Sequence, residues 1–209
     1  MQELRGQDGH VAGPGAPRRF PDRVRLPMRL DPELLRRDLE RLGRVAWTRH
    51  FVEQNYSGEW SVIALRAKAG AVHPVQMIYS DPMAREFEDV AALGQTPYFR
   101  QVLASFACPL RSVRLMRLTP GSRIKTHQDP DLDFESGTVR FHVPITTNPA
   151  VEFRLNGAPV PMTAGSAWYL RLSDPHSVVN RGTTDRVHLV IDAEADAWVR
   201  ECLSRGVAD

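Results

Sequence analysis

The amino-acid sequence predicts a mainly β fold with flanking α-helices, rolled into a jelly roll. Three observations lead there. Between Ser112 and Asp192 short strand-like segments follow one another closely: Ser112 to Leu118, Ile124 to Gln128, Thr138 to Thr146, Val151 to Leu155, Ser166 to Leu172 and Arg186 to Asp192. Turn signals separate them, at Pro120-Gly121, Asn156-Gly157 and Asn180-Arg181-Gly182. Helical patterns fall only before and after this block. Six or more antiparallel strands punctuated in this way suit a sandwich or barrel, and a jelly roll is the expected form.

The elements follow in order. Residues 1–27 are rich in Gly, Pro and Arg without periodicity, and are expected to form a flexible tail; residues 28–209 form a single domain. Asp31 can N-cap a helix with Pro32 at its first position and Glu33 in its first turn, while Leu35, Leu39 and Leu42 recur on one stripe. Strands are expected at Val45 to Thr48 and Ser61 to Arg66, and short helices at Met83 to Leu93 and Tyr98 to Phe106. Asn156-Gly157 is the strongest hairpin signal, because both residues tolerate positive φ. The segment from Glu194 to Ser204 reads as a closing helix with Trp198 and Cys202 on one face.

Composition narrows the function classes. The chain has 209 residues, enough for one core and too few for two independent ones. With 42% hydrophobic and 25% charged residues it has the make-up of an ordinary globular protein. A formal charge of +2 lacks the basic footprint of a general nucleic-acid binder, so nucleic acid is not an expected partner. The two cysteines, Cys108 and Cys202, form neither a disulfide framework nor a zinc pattern, and are expected as buried free thiols. No run reaches the ~18 apolar residues of a membrane span, and the first twenty residues carry charges where a signal peptide needs an apolar stretch. A cytoplasmic location with no membrane partner is the expectation.

One constellation carries chemistry. His127 and Asp129 stand two residues apart at a strand end, so the period of two points both side chains the same way. His176 follows the strand Ser166 to Leu172, and a rolled sheet can bring it to the same place. Two imidazoles and a carboxylate on one face of an octahedron leave three positions open, the arrangement of non-haem Fe(II) oxygenases. Arg186 opens an otherwise apolar strand. A guanidinium buried there needs an anion, which a dicarboxylate cosubstrate supplies bidentately; a structural salt bridge to an Asp or Glu is the other way to satisfy it.

The blocks Pro120 to His127, Val139 to Pro144, Gly165 to Trp168, His176 to Asn180 and Arg186 to Asp192 together resemble the aspartyl/asparaginyl β-hydroxylase family, and more nearly its bacterial, proline-hydroxylase-like branch. The resemblance runs from about Ser112 to Asp192, with a weaker extension through Trp47 to Phe51 and Gly58 to Trp60. It implies a cupin-like double-stranded β-helix that holds Fe(II) and uses 2-oxoglutarate and dioxygen as cosubstrates. It implies His127 and His176 as iron ligands, with Asp129 as the carboxylate ligand of the proline-hydroxylase-like members. Arg186 falls where the family binds the distal carboxylate of 2-oxoglutarate, and Arg140 and His142 fall near its other carboxylate and the iron. Met116 stands where the animal members have a serine that contacts 2-oxoglutarate. The implied reaction hydroxylates a C–H bond of a small-molecule amino acid, proline-like or otherwise, or of a residue in a peptide, while 2-oxoglutarate becomes succinate and CO2.

Other residues have plainer expectations. Asp131 and Asp133 are expected to face solvent in a loop, residues 130–137, that could act as a lid. His188 shares a face with Arg186 and either touches substrate or rests in the core against a backbone carbonyl. Trp168 and Tyr169 read as packing, Arg111, Arg114 and Arg117 as a solvated face, and His10, His50 and His73 as unsupported for ligation. Trp47, Arg49, Gln54, Tyr56 and Trp60 should lie toward the mouth without a decipherable role. Two other classes stay open: a cupin-like hydrolase or isomerase using zinc or manganese on the same three ligands, and a non-enzymatic jelly-roll binding module.

Overall fold

Two antiparallel sheets carry the molecule in a computed structural model that describes residues 20–208. Among the described residues the first half contains β1 (Arg23–Arg29), α1 (Pro32–Arg41), β2 (Thr48–Arg49), β3 (Tyr56–Ser57), β4 (Trp60–Lys68), α2 (Pro74–Ile78), β5 (Phe87–Asp89), α3 (Ala91–Gly94) and α4 (Pro97–Ala104). The second half contains β6 (Leu110–Leu118), β7 (Arg123–His127), β8 (Thr138–Thr146), β9 (Val151–Leu155), β10 (Ala158–Pro159), β11 (Ser166–Leu170), β12 (His176–Asn180), β13 (Arg186–Glu194) and α5 (Ala197–Arg205). The larger sheet runs β1-β11-β8-β13-β6-β4-β2, with β5 also on β4, and the smaller runs β10-β9-β12-β7-β3. Neighbours in each sheet are rarely consecutive in the chain, as the expected jelly roll requires.

The long strands β6, β8 and β13 are buried along most of their length because both of their faces are covered. Their alternation sorts two cores. Val113, Leu115, Phe141, Val143, Leu189 and Ile191 point outward to a cluster shared with Leu35, Phe99 and Val199 of the helices. Met116, Leu118, Trp168, Leu170 and Val190 point inward, against Ile124, Phe153, Leu155 and Val178 of the smaller sheet. Each fully buried Leu or Phe among them stabilises the fold by about 1.5–3 kcal/mol relative to exposure. Trp168 and Tyr169 are both fully packed, as expected, on opposite faces of β11.

Local chemistry fixes the helices. The Asp31 carboxylate accepts from the Glu33 and Leu34 amides, and Pro32 fills the first helical position, so α1 starts where the sequence places it. Asp38 of α1 is buried and accepts the Tyr98 and Phe99 amides at 2.6 and 2.9 Å, capping α4, whose own N-cap Thr96 makes no side-chain bond there. The Asn156-Gly157 turn joins β9 to β10 with φ of 50° and 77°, the two positive values its hairpin geometry demands.

Three sequence expectations are corrected. Residues 23–27, assigned to the tail, belong to β1, which gains order by pairing with the edge of β11; the rest of that tail through residue 19, with His10, lies outside the described residues. Val45 to Trp47 is not a strand; only Thr48–Arg49 pairs with β4. Met83 to Leu93 is not one helix: Phe87–Asp89 pairs with β4, where Arg66 binds Asp89 at 2.6 Å, and only the short α3 follows. Sheet edges recruited these segments, which no local period could announce.

Candidate active site

Because strand residues alternate, the inward faces of the larger sheet carry every second residue: Ser112, Arg114 and Met116 on β6, Arg140 and His142 on β8, and Arg186, His188, Val190 and Asp192 on β13. Toward one end of the roll the inner face is therefore polar. It borders a cavity of about 870 Å³ lined by His127, Asp129, His176, His142, Arg186 and Trp60, among others.

β7 and β12 bring the two imidazoles together. His176 lies directly opposite His127 in their ladder, with ring centroids 4.2 Å apart. Asp129 is set just beyond β7 by its amide, which donates to the Leu172 carbonyl at 2.8 Å. One ligand-capable atom from each of His127, Asp129 and His176 lies within 4.8 Å of the others. The Nδ1 of His127 bonds the Lys125 carbonyl at 2.8 Å, and that of His176 bonds the Asp174 carbonyl at 3.0 Å. A carbonyl only accepts, so each Nδ1 carries the proton and each Nε2 keeps its lone pair for a metal. Burial, then the neighbouring His127, pushes His176 down to about 4, which leaves it neutral at pH 7.

A buried ionic chain lies behind Asp129. Arg140 donates from Nη1 to Asp129 Oδ2 at 2.8 Å, and from Nε and Nη2 to the two oxygens of Asp192 at 2.6 and 3.0 Å. Arg114 also binds Asp192, and its other nitrogen donates to the Ile78 carbonyl at 3.0 Å. Ser80 donates to Asp192 at 2.8 Å. Burial opposes ionisation of Asp192, but the Arg114 and Arg140 guanidiniums outweigh it and hold the carboxyl well below the usual carboxylate range.

Arg186 occupies a different setting. It is 2% exposed, and no carboxylate among the described residues lies within ion-pair distance. Its Nη2 meets His188 Nδ1 at 2.9 Å, its Nε has no partner, and burial pulls the guanidinium down to about 9. The donor-only guanidinium makes His188 the acceptor, so that imidazole is neutral. Next to it His142 is buried with neither ring nitrogen bonded, held far below the ordinary imidazole value by burial and then by Arg186 and Arg140.

The sequence expectations sort accordingly. His127, Asp129, His176, Arg186, Arg140 and His142 all line one cavity. His188 uses Arg186 in place of the backbone carbonyl expected for a core histidine. Arg114 is buried, so the solvated face expected for Arg111, Arg114 and Arg117 is corrected: an inward β6 position faces Asp192. Asp133 is buried and accepts the Ser136 amide at 2.7 Å, whereas Asp131 is exposed at the cavity rim with φ 63°. His50 stacks on Trp60 with ring centroids 3.6 Å apart, and burial, then Arg114, pushes it down to about 4. His73 caps α2. Sequence reasoning missed Asp192 and Ser80; for Asp192 a signal existed, since it shares the face of Arg186 and His188 in an apolar strand and a carboxylate there needs cations.

Donor chemistry fits a divalent metal: two free imidazole Nε2 atoms, and a carboxylate with one oxygen bound to Arg140 and the other, Oδ1, facing His127 Nε2 at 3.7 Å. The unpartnered nitrogens of Arg186 and His142 in the same cavity fit an oxygen-rich anion beside it. This chain is thus a jelly-roll protein with such a donor set and a buried arginine lining one cavity. It belongs to the aspartyl/asparaginyl β-hydroxylase family, whose model matches residues 31–196. It is 27% identical over 143 residues to the L-proline cis-4-hydroxylase of Rhizobium meliloti (strain 1021), a match covering 68% of this chain and 50% of that protein. The chain thus spans about half the length of that curated relative. Among solved structures its fold is similar to a non-haem α-ketoglutarate-dependent epimerase, SnoN, from nogalamycin biosynthesis, with TM-score 0.55 and 14% identity over 83% of this chain and 77% of that one. It is likewise similar to an oxidoreductase of the 2OG-Fe(II) oxygenase family from Burkholderia pseudomallei, with TM-score 0.51 and 16% identity over 84% and 86% of the two chains. Among the described residues no helix is long and apolar enough to cross a membrane.

Proposed function

We propose that the chain is an Fe(II)- and 2-oxoglutarate-dependent dioxygenase that hydroxylates a C–H bond of an amino acid, either a free proline-like or other small amino acid or a residue within a peptide. The observation that carries this reading is Arg186, a guanidinium buried in the cavity that His127, Asp129 and His176 also line, with no carboxylate among the described residues to neutralise it. Desolvating such a cation costs several kcal/mol unless an anion arrives with the right fork geometry. The distal carboxylate of 2-oxoglutarate is that anion. His142 and Arg140, which line the same cavity, would face its other carboxylate.

Bound ferrous iron supplies the activation of dioxygen and of the oxo-acid. The chain's own residues do the rest. His127 and His176 offer Nε2 because backbone carbonyls hold their Nδ1 protons. Asp129 offers one oxygen because Arg140 occupies the other. Arg186 orients the cosubstrate along the cavity, and His142, neutral and unpartnered, can donate a hydrogen bond to it. Trp60, Met116, Ile124, Phe153 and Val178 line the same cavity and restrict water around the reacting bond. The relative's proline hydroxylation and the family's hydroxylase character support the amino-acid substrate class.

The test is a mass-spectrometric screen of free amino acids and peptides. A product heavier by one oxygen, formed only when both Fe(II) and 2-oxoglutarate are present and with succinate released, is expected. Metal-dependent turnover indifferent to 2-oxoglutarate would overturn the reading.

A further inference from the structure

We infer that Asp192 is a positioning residue for the metal centre: by gripping Arg140 it fixes which oxygen of Asp129 faces the two imidazoles. The inference rests on the metal reading of His127, Asp129 and His176. Arg140 reaches Asp129 with Nη1 alone, through a single bond to Oδ2 at 2.8 Å, while its Nε and Nη2 are both committed to Asp192. The guanidinium is planar, so holding one edge on Asp192 dictates where the third nitrogen points. That nitrogen claims Oδ2 of Asp129 and leaves Oδ1 toward His127 Nε2, 3.7 Å away. A metal then meets one carboxylate oxygen of fixed position, a geometry that outer partners of ligands commonly enforce.

Charge balance explains why Asp192 is needed as well as Arg140. Arg114 and Arg140 are two buried cations converging on one place, and Asp192 is the fully buried anion that both bind. Without its charge, they would repel one another in a low-dielectric setting, and Arg140 would be free to turn both terminal nitrogens to Asp129, covering both oxygens. Ser80, which donates to Asp192 and accepts from Arg140 Nη2 at 3.3 Å, closes the remaining coordination of the pair.

The experiment is an anaerobic Mn(II) titration followed by the loss of the free-ion paramagnetic resonance signal, without 2-oxoglutarate. Asp192→Asn keeps the shape and removes the charge; its Mn(II) Kd should rise about 10- to 100-fold with circular dichroism unchanged. Should that variant fail to fold, Arg140→Gln breaks the chain one link later and must give the same loss. Asp129→Ala should itself weaken Mn(II) binding, and adding Asp192→Asn in that background should change Kd no further. A parent Kd in folded Asp192→Asn or Arg140→Gln, or full additivity with Asp129→Ala, overturns the inference while leaving the metal site standing. A parent Kd in Asp129→Ala removes the metal reading and this inference together.

Discussion

His176 stands directly opposite His127 across the ladder of β12 and β7, their rings 4.2 Å apart, although neither belongs to the other's stretch of chain. Strand pairing thereby does what a helical spacing of ligands does in metal proteins: it fixes the separation of two imidazoles by backbone hydrogen bonds. Asp129, carried just past the end of β7, completes the set from the next inward position.

His176→Ala should abolish turnover and reduce metal affinity by more than the about 10- to 100-fold typical of outer-partner changes, since it removes a ligand outright. Metal content after anaerobic loading, measured beside succinate release, checks both. Parent-level succinate production by this variant would exclude His176 from ligation.

Arg186→Ala should separate cosubstrate binding from metal binding. Loss of a charge-assisted fork of about 1.5–3 kcal/mol corresponds to about a 10- to 150-fold higher KM for 2-oxoglutarate. Its Fe(II) affinity should remain that of the parent, because the hydrogen bond Arg186 makes is to His188 and not to His127, Asp129 or His176. The visible charge-transfer band that Fe(II) and 2-oxoglutarate develop under anaerobic conditions reads out the titration directly.

Stability should rise with pH between about 4 and 6.5 in the metal-free protein. Burial first, and then neighbouring cations, holds His142 and His188 well below the ordinary imidazole value, and His50 and His176 lie at about 4. In the unfolded chain these groups titrate near 6.5, so over this window the unfolded state binds more protons, and acid favours unfolding. Each histidine contributes a slope of up to about 1.4 kcal/mol per pH unit. Urea midpoints should therefore fall from pH 7.5 to pH 5; equal midpoints would mean that these imidazoles are not held neutral.

Asp38→Ala should destabilise the fold by about 1–3 kcal/mol, because the Tyr98 and Phe99 amides at the start of α4 lose their acceptor. Asp38→Asn retains an acceptor oxygen and should cost less. Urea unfolding of both variants tests the order, and the metal site should be untouched in each.

Much of the fold was readable from local signals. The Asp31-Pro32 start of α1, the Asn156-Gly157 hairpin and the six strands expected between Ser112 and Asp192 each follow from the chemistry of a few neighbouring residues, whereas β12, which carries His176, is not among them. The period of two at His127 and Asp129 likewise announced a convergent pair. What local reasoning misjudged was set by distant partners. β1 and β5 exist because β11 and β4 offer edges to pair with. Arg114 looked like part of a solvated basic run until an inward strand position turned it to Asp192.

The sequence by itself determined the alphabet of this protein: strands that alternate, turns that close them, two imidazoles, a carboxylate and a strand arginine of the kinds a ferrous site and an oxo-diacid need. Only the tertiary structure decided the pairing of those parts. Arg140 could have sought any carboxylate, and the rolled sheets gave it Asp129 and Asp192; Arg186 could have found a salt bridge, and among the described residues it has none. The physical reason is that electrostatic partners inside a protein are chosen by which side chains share a low-dielectric interior, a property of register between strands far apart in the chain.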